Sequence, residues 1–337
     1  MRISCHEIDK KSLDGFVAKQ FNSQLLQSSL WADFQNLTGK NCWRVAVTHN
    51  DQVLATASII EHNIFAGLTY LYCPRGPVVD PTLNQKEKDE VIKLLLGQMR
   101  ELTIKTNNRD EVFTKIEPTF ISPAIHEVCI KSNGIQPENT LLINLNQSLQ
   151  QLLASFHSKT RYNIKLATKN DLIIKRLNKD SLSEVWPLFN KTSTRNNFRL
   201  HQKNYYEKML TIPTCQLWLV THNNNNIAVA ITAYFGDTIT YLHGASDYQY
   251  RSLMAPYLLH WEIIKWAKQN NFRWYDLHGI APANQPQHPL SNVSRFKLGW
   301  GGVSVNYPGA YDVVYSAGLY QAYKFVRKIL RLIRRKK

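Results

Sequence analysis

Acidic residues are scarce in this sequence of 337 residues. It has 25 Asp and Glu against 41 Lys and Arg, which gives a formal net charge of +16. A surplus of this size favours an anionic partner such as nucleic acid, a phosphorylated ligand or an acidic lipid. A basic composition that serves only solubility is the alternative interpretation of the same charge.

Cysteine, glycine and proline are also few, at 5, 14 and 13 residues. The cysteines are odd in number, widely spaced and without a CxxC pair, which argues against a disulfide scaffold or a zinc site and favours free thiols in a reducing compartment. A hydrophobic content of 44% with so little Gly and Pro excludes a fibrous or disordered chain. No two of the 11 histidines are spaced as HxH or HxxxH, so we expect no metal site.

Long apolar runs are absent as well. The sequence has no stretch of about 18 consecutive apolar residues, the length that a bilayer-spanning helix requires. Its first segment, MRISCHEIDKKSLDGF, is polar and unlike a secretory signal. We therefore expect a cytoplasmic protein whose only membrane contact would be peripheral, at the cytoplasmic face.

The sequence contains one unit twice. Val-Thr-His-Asn occurs at 47–50 and at 220–223, each time between two alternating β-rich segments, and Thr-Tyr-Leu follows at 69–71 and 240–242. A helical segment and a last strand complete each copy, in the order strand–strand–strand–helix–strand. This order predicts an α/β protein with mixed sheets, built from two tandem acetyltransferase-like (GNAT) domains.

The length also favours two domains, because a single core rarely grows to this size. Apolar residues at helical spacing from Leu149 precede the second copy, and a strand-like segment with a basic helix follows Gly302. We expect residues 1–143 and 303–337 to form the first domain, and residues 144–302 to form the second.

The glycine-rich turn that binds CoA in many proteins of this fold is missing from both copies. Such a turn holds the CoA pyrophosphate on backbone N–H groups at the start of a helix. The second copy has no glycine between Ala245 and Gly279, and Pro256 lacks an N–H there. The first copy reads CPRGPVVDP. The sequence therefore favours an acyl donor other than acetyl-CoA, and we expect no cofactor.

Six segments, in one order along nearly the whole chain, resemble the FemABX family. They are LLQSSLWADFQ (25–35), YLYCPRGPVVD (70–80), KTRYNIKLA (159–167), TRNNFRLHQKNYYEKML (194–210), YLHGASDYQYRSLMAPYLLHWEIIKWA followed by WYDLHGIAP, and HPLSNVSRFKLGWGGVSVNYPGAYD (288–312). The resemblance implies an aminoacyltransferase with an aminoacyl-tRNA donor. The acceptor would be a stem-peptide amine of lipid II or UDP-MurNAc-pentapeptide, and the product an interpeptide cross-bridge. We expect the protein to act as a monomer.

The resemblance places the catalytic pair of the family at Phe296 and Lys297. Lys297 would stabilise the oxyanion or the leaving ribose oxygen. Phe296 would stack on the terminal adenine or shape the pocket, and Arg295 beside it would bind substrate. Glu117, at the end of the strand TKIEP, is a candidate proton acceptor. The alternative for Lys297 is a surface lysine beside a core phenylalanine in a strand.

Further substrate-binding candidates come from the same resemblance. Arg195 and Arg199 would bind a diphosphate, because guanidinium groups offer forked donors. Tyr206 would lie with them at a cleft, and Tyr241 and Tyr257 would hydrogen-bond a sugar or uracil. A solvated basic face and core tyrosines are the alternatives.

The last 14 residues, 324–337, include eight Lys or Arg and no acid, with apolar residues at helical spacing. The pattern fits a helix on a membrane surface. It fits equally a contact with a tRNA backbone, or a helix that packs on the first domain. Two other functions also stay open for the whole chain: a CoA-dependent N-acyltransferase, and a non-catalytic protein that binds tRNA or membranes.

Overall fold

The structure is a computed structural model that describes residues 3–105 and 111–335. The chain divides into two compact units. Unit 1 comprises Met1–Gln20, Leu26–Gln136 and Tyr307–Lys337, and unit 2 comprises Phe21–Leu25 and Pro137–Asn306. Among the described helices, none combines the length and the apolar character needed to cross a membrane.

Strands and helices are interspersed along the chain. The first part of the chain contains β1 (Ile3–Glu7), α1 (Lys10–Val17), α2 (Ser29–Leu37), β2 (Cys42–His49), β3 (Gln52–Asn63), β4 (Thr69–Cys73), β5 (Val78–Val79), α3 (Gln85–Lys105), β6 (Glu111–Ile116), α4 (Pro123–Val128) and β7 (Ile130–Ser132). Unit 2 follows with β8 (Asn139–Asn144), α5 (Leu149–Ser155), α6 (Ser158–Ala167), β9 (Ile173–Leu177), α7 (Leu182–Asn196), α8 (Lys203–Met209), β10 (Cys215–His222), β11 (Asn225–Phe235), β12 (Thr238–Ser246), α9 (Ala255–Gln269), β13 (Trp274–Ile280), α10 (Ser291–Leu298) and β14 (Val303–Asn306). The chain returns to unit 1 with β15 (Ala310–Val314) and α11 (Ala317–Arg335).

Each unit has one mixed sheet, and the structure confirms the predicted repeat. The strand order is β1-β2-β3-β4-β6-β15-β7 in unit 1, with β5 beside β3, and β14-β8-β13-β12-β11-β10-β9 in unit 2. The predicted hairpins are β2–β3 and β10–β11, and both turn residues of each have positive φ, as a tight hairpin requires. In both units a helix then connects two parallel strands, β4 to β6 and β12 to β13.

The strands β12 and β13 diverge within unit 2. Their pairing covers Thr238–Thr240 and Trp274–Asp276, whereas β12 continues to Ser246 and β13 to Ile280. Each strand also has a shift in its pairing register with the neighbour on its other side. The shift between β12 and β11 is near Leu242, and the shift between β13 and β8 lies between Asp276 and Gly279. Bulges bend strands and redirect side chains, so the divergence leaves a wedge whose walls are the ends of β12 and β13.

The domain boundaries predicted from the sequence lie inside one sheet. Strand β8 pairs with β13 on one side and with β14 on the other, so all three strands belong to unit 2. Leu141 and Ile143 of β8 are buried in the core of this unit. The contacts therefore divide the chain after Gln136 and Asn306, rather than after residues 143 and 302.

Candidate functional site

Helix α10 places Lys297 at the wedge between β12 and β13. The side chain is 6% exposed, and its Nζ donates a hydrogen bond to the carbonyl oxygen of Gly279 at 2.8 Å. Nζ also lies 5.7 Å from the centre of the Tyr241 ring, on β12. Lys297 is therefore a buried helical residue, and the alternative of a surface lysine in a strand is wrong.

Burial changes the acidity of Lys297. Removal from water lowers the pKa of its ammonium group from 10.5 to about 8, while the nearby carboxylate of Asp276 opposes this shift. At neutral pH most molecules still carry the positive charge. A buried charge of this kind costs stability, so its presence favours a functional role over a packing role.

Asp276 is fixed by its neighbours. Its Oδ1 accepts hydrogen bonds from the Thr140 hydroxyl and from the His278 N–H, the latter at 2.7 Å, and its Oδ2 accepts one from the Asn22 amide at 3.4 Å. His278 has a φ of 58°, which is where β13 departs from regular pairing. The carboxylate therefore holds the bend that turns the Gly279 carbonyl towards Lys297.

Aromatic rings surround the neighbouring Phe296. Its ring lies 5.1 Å from that of Tyr257 and 5.3 Å from that of His260, both on α9, and 6.2 Å from that of Trp300. Phe296 and Tyr257 also line a cavity of about 190 Å³ together with Arg251. The carboxylate of Asp247 also lines this cavity and is paired with Lys191 at 2.6 Å. The two half-buried rings suit an unpaired base, and Arg251 places a cation beside them.

Tyr241 contacts a buried pair, His260 and Tyr275, that was not among the candidates predicted from the sequence. Its ring packs edge-on against His260 at 4.7 Å, and His260 Nδ1 lies 2.7 Å from the hydroxyl of Tyr275. Burial, followed by the charge of Lys297, lowers the pKa of His260 to about 3, so this imidazole is neutral. The Tyr241 hydroxyl occupies the place of a side chain at Gly244, which explains the glycine there. Helical periodicity predicts which side of α9 is buried, but it cannot identify Tyr275, 15 residues further along the chain, as the partner of His260.

The basic candidates of α7 are exposed, whereas Tyr206 is not. Arg195, near the end of α7, donates to the Ser246 carbonyl at 2.9 Å and lies 5.7 Å from the Tyr248 ring centre. Arg199 is exposed in the following loop. Tyr206 is buried among other rings, including His243 at 4.9 Å, and burial raises its pKa. The expectation that Tyr206 lines a cleft with the arginines does not hold, because its ring fills the core.

Glu117 lies in unit 1, directly after β6, and three donors hold its carboxylate. It accepts hydrogen bonds from the backbone N–H groups of Ile135 and Gln136, at 2.5 and 3.0 Å, and from the Tyr72 hydroxyl at 2.5 Å. Within unit 2 the structure brings together Lys297, Phe296, Tyr241 and Tyr257, while Arg295 is an exposed neighbour on α10. Glu117 is not among them.

The segment where acetyltransferases bind pyrophosphate has a different local structure here. Residues Tyr248–Leu253 form a 3₁₀ turn, Met254 follows with a φ of 55°, and α9 then begins with Ala255 and Pro256. The N–H of Tyr257 is already bonded to the Met254 carbonyl, and Pro256 has no N–H. Few free N–H groups are left for an anion at this helix start.

Comparisons with known proteins agree with this architecture. The FemAB family model matches residues 8–133, 126–220 and 217–328. A relative from Staphylococcus epidermidis, named lipid II:glycine glycyltransferase, is 23% identical over 402 residues, which covers 95% of each protein. The crystal structure of FemX has a TM-score of 0.82 at 19% identity and covers 95% of this chain and 99% of its own. A tandem GNAT protein from the clavulanic acid biosynthesis pathway has a TM-score of 0.53 at 11% identity, and the match covers 93% of this chain and 98% of that protein.

These likenesses confirm the predicted fold class of tandem acetyltransferase-like domains. The family match extends over both units and includes the helix that carries Phe296 and Lys297. The chain belongs to the FemAB family.

Proposed function

We propose that this protein is an aminoacyltransferase that moves an amino acid from an aminoacyl-tRNA to a stem-peptide amine of a peptidoglycan precursor. The relatives named lipid II:glycine glycyltransferase, which align over nearly the whole chain, support lipid II as the acceptor. UDP-MurNAc-pentapeptide is the soluble precursor with the same peptide. The single observation that carries the assignment of the site is the buried ammonium group of Lys297 at the wedge between β12 and β13.

The reaction is aminolysis of an ester. The acceptor nitrogen attacks the aminoacyl carbonyl carbon, an amide bond forms, the ester C–O bond breaks, and a proton passes from nitrogen to the 3′ oxygen of the ribose. Negative charge develops on the carbonyl oxygen and on the leaving ribose oxygen. Lys297 stabilises that charge, because its ammonium is held by the Gly279 carbonyl in a site from which water is largely excluded.

The cavity beside Phe296 binds the end of the donor RNA. Phe296 and Tyr257 supply ring faces for an unpaired base, and Arg251 supplies a cation for the phosphate that precedes it. Arg295 is exposed on the same helix as Phe296 and adds positive charge at the entrance. Tyr241 lies near both Lys297 and His260, and its ring face favours a cation at the position of the ammonium group.

Acceptor binding falls to other residues. Arg195 and Arg199 are exposed cations that suit the diphosphate of a lipid- or UDP-linked precursor. Glu117 acts as a positioning residue for the segment at residues 135–136, because three donors already satisfy its carboxylate. Tyr206 supports the core beneath the α7–α8 loop.

The decisive experiment incubates purified protein with lipid II or UDP-MurNAc-pentapeptide and a panel of charged tRNAs, and detects the amide product by mass spectrometry. We expect product with at least one charged tRNA and none with the free amino acid. Product from acetyl-CoA, together with heat of acetyl-CoA binding in calorimetry, would instead establish a CoA-dependent acyltransferase. Binding of tRNA without any transfer would indicate a non-catalytic protein.

A further inference from the structure

Helix α6 of unit 2 has an exposed face that is strongly basic. Tyr162 on this helix is 64% exposed. The exposed cations around it, the last of which lies in the turn after the helix, are Lys159, Arg161, Lys165 and Lys169. These five residues are called the basic face below. The sequence has no Asp or Glu between residues 139 and 170, so no neighbour along the chain neutralises the cations.

The opposite face of α6 is packed in the core of unit 2. The buried residues of the helix are Thr160, Asn163, Ile164 and Ala167. With about 3.6 residues per turn, these four lie on one side of the helix, and Tyr162 and Lys165 lie on the other. Arg161 donates to the carbonyl groups of Ala154 and Phe156 at the end of α5, which fixes the helix further. The basic face is therefore held on a rigid element.

Both ends of α6 contact segments that line the cavity beside Phe296. At the start, the His157 N–H donates to the carbonyl oxygen of Gly299 at 2.9 Å, and Gly299 directly follows α10, which carries Phe296. At the end, the Asn170 amide donates to the carbonyl oxygen of Leu253 at 3.4 Å. Leu253 belongs to the 3₁₀ turn that precedes α9, and other residues of this turn line the cavity. The basic face therefore borders the proposed binding site for the end of the donor RNA.

The basic face suits an RNA strand better than a membrane. Cations without a neighbouring acid complement a row of phosphates, and an exposed ring among them offers a face on which an unpaired base can stack. A helix that lies on a membrane needs an open apolar face. The aliphatic residues of α6 are buried or half-buried, so this helix offers no such face to a bilayer.

We propose that the basic face of α6 binds the donor RNA upstream of the terminal nucleotide that enters the cavity beside Phe296. The cations contact phosphates, and Tyr162 stacks on an unpaired base of the 3′ strand. This inference rests on the proposed function, because it takes the donor to be an aminoacyl-tRNA. None of the site residues predicted from the sequence belongs to this surface.

The first test removes charge from the basic face. Binding of uncharged tRNA to the parent and to Lys165→Gln/Lys169→Gln is measured by fluorescence anisotropy between about 50 and 200 mM salt. We expect the variant to bind roughly tenfold to a hundredfold more weakly at about 0.1 M salt. The slope of log K against log salt should also become shallower by about 2, which is about one for each lost phosphate contact. Both positions are exposed, so the fold should survive, which circular dichroism will verify.

The matched control is Lys175→Gln/Lys179→Gln, which removes equal charge from exposed positions of unit 2. Lys175 alternates along β9 with Arg176, whose guanidinium lies 5.5 Å from the Trp266 ring on α9. Successive side chains of a strand point to opposite faces of the sheet, so Lys175 lies away from the face on which α6 and α9 share a core. The control should bind tRNA nearly as tightly as the parent.

The second test removes the ring. Tyr162→Ala should weaken tRNA binding by roughly fivefold to a hundredfold, the range for the loss of one stacked base. The salt slope should stay that of the parent, because no phosphate contact is lost. Tyr162→Phe keeps the ring face and should restore the binding.

Transfer from 3′-aminoacyl-adenosine separates this proposal from the proposed function, since this ester has no upstream backbone. Lys165→Gln/Lys169→Gln should keep the parent's rate with the small ester and lose kcat/KM with charged tRNA. Absence of transfer by the parent from either donor would overturn the proposed function. A loss of tRNA binding in Lys165→Gln/Lys169→Gln would even then locate the RNA surface on α6.

The basic tail at residues 324–337 is the competing RNA contact. Phe325 is 64% exposed and Ile329 is 39% exposed, so the alternative in which the tail packs on the first domain is wrong for these two side chains. Lys324 and Lys328 are also exposed on α11, and Lys324→Gln/Lys328→Gln is therefore the competing variant. The side chains of residues 331–337 lie outside the described part of the structure.

Three outcomes would overturn the proposal. The first is tRNA binding by Lys165→Gln/Lys169→Gln that equals that of the parent, with a loss only in Lys324→Gln/Lys328→Gln, which would assign the contact to the tail. The second is an equal loss in Lys175→Gln/Lys179→Gln, which would show that net charge alone sets the affinity. The third is a variant of the basic face that keeps tRNA binding but no longer sediments with vesicles of phosphatidylglycerol, which would assign the surface to a membrane.

Discussion

Replacing Lys297 by Met separates the cost of its buried charge from its role in transfer. Methionine keeps an unbranched chain of similar length but has no ammonium group. Lys297 is almost fully buried, and burial lowers its pKa from 10.5 to about 8. This difference of about 2.5 pKa units corresponds to about 3 kcal/mol, the amount by which burial penalises the charged form at neutral pH. The variant also loses the hydrogen bond to the Gly279 carbonyl, which costs about 1–3 kcal/mol.

The pH dependence has a definite sign. Between about pH 8 and pH 10.5 the unfolded chain keeps the Lys297 proton that the folded chain has lost, so the parent becomes more stable as pH rises through this window. The Met variant has no such group. At pH 7 we expect the variant to be as stable as the parent or up to about 2 kcal/mol more stable. Between pH 7 and pH 10 the free energy of unfolding of the parent should rise by about 2.5 kcal/mol relative to that of the variant.

The assay is urea unfolding followed by tryptophan fluorescence for both proteins at about pH 7, 8, 9 and 10, combined with transfer kinetics. Lys268→Met is the control, since Lys268 also donates to a backbone carbonyl, that of Leu145 at 3.0 Å, but is only half-buried. Transfer by Lys297→Met should fall on the order of 10²–10³ in kcat with little change in the acceptor KM, as for the loss of one oxyanion donor. A stability difference that is constant with pH would refute the electrostatic argument, and a near-normal kcat would refute the catalytic role.

Three further perturbations test neighbouring parts of the structure. Arg195→Ala should raise the acceptor KM more than it lowers kcat in steady-state assays, and an unchanged KM would remove it from the acceptor site. Burial lowers the His260 pKa from 6.5 to about 3, so the parent loses stability as pH falls below about 6.5. His260→Phe removes this titration and should lose less stability in acid, as measured by urea unfolding. Equal losses of stability in the parent and the variant would contradict this. Lys115→Met leaves the carboxylate of Asp312 buried and should cost about 3–5 kcal/mol, whereas the exposed Lys93→Met should cost less than about 1 kcal/mol. Similar losses of unfolding free energy for the two substitutions would show that burial does not set the energy of the Lys115–Asp312 ion pair.

The repeat could be predicted because its signals are local. Alternation of apolar residues, Asn-rich turns and the helical spacing of α9 each depend on residues close together in the chain, and together they fixed the order of elements in both units. The resemblance to the FemABX family rests in the same way on continuous segments of sequence, one of which contains Phe296 and Lys297.

The environment of these residues depends on contacts between distant parts of the chain. Lys297 reaches a carbonyl 18 residues away, Asp276 accepts from residues 136 and 254 positions distant, and β8 pairs with β13 rather than with unit 1. Sequence spacing contains no record of such partners. For the same reason it could not distinguish Tyr206, which fills the core, from Tyr257, which lines a cavity.

The sequence by itself therefore determined the elements, their order and the family, because hydrogen-bonding patterns and side-chain periodicity act over a few residues. Only the tertiary structure decided that Lys297 is buried, that His260 is neutral beside Tyr275, and that Phe325 and Ile329 of α11 are exposed. The pKa of a side chain depends on how deeply it is buried and on the charges near it. Both are set by residues that are distant in sequence and come together only when the helices pack on the two faces of the sheet.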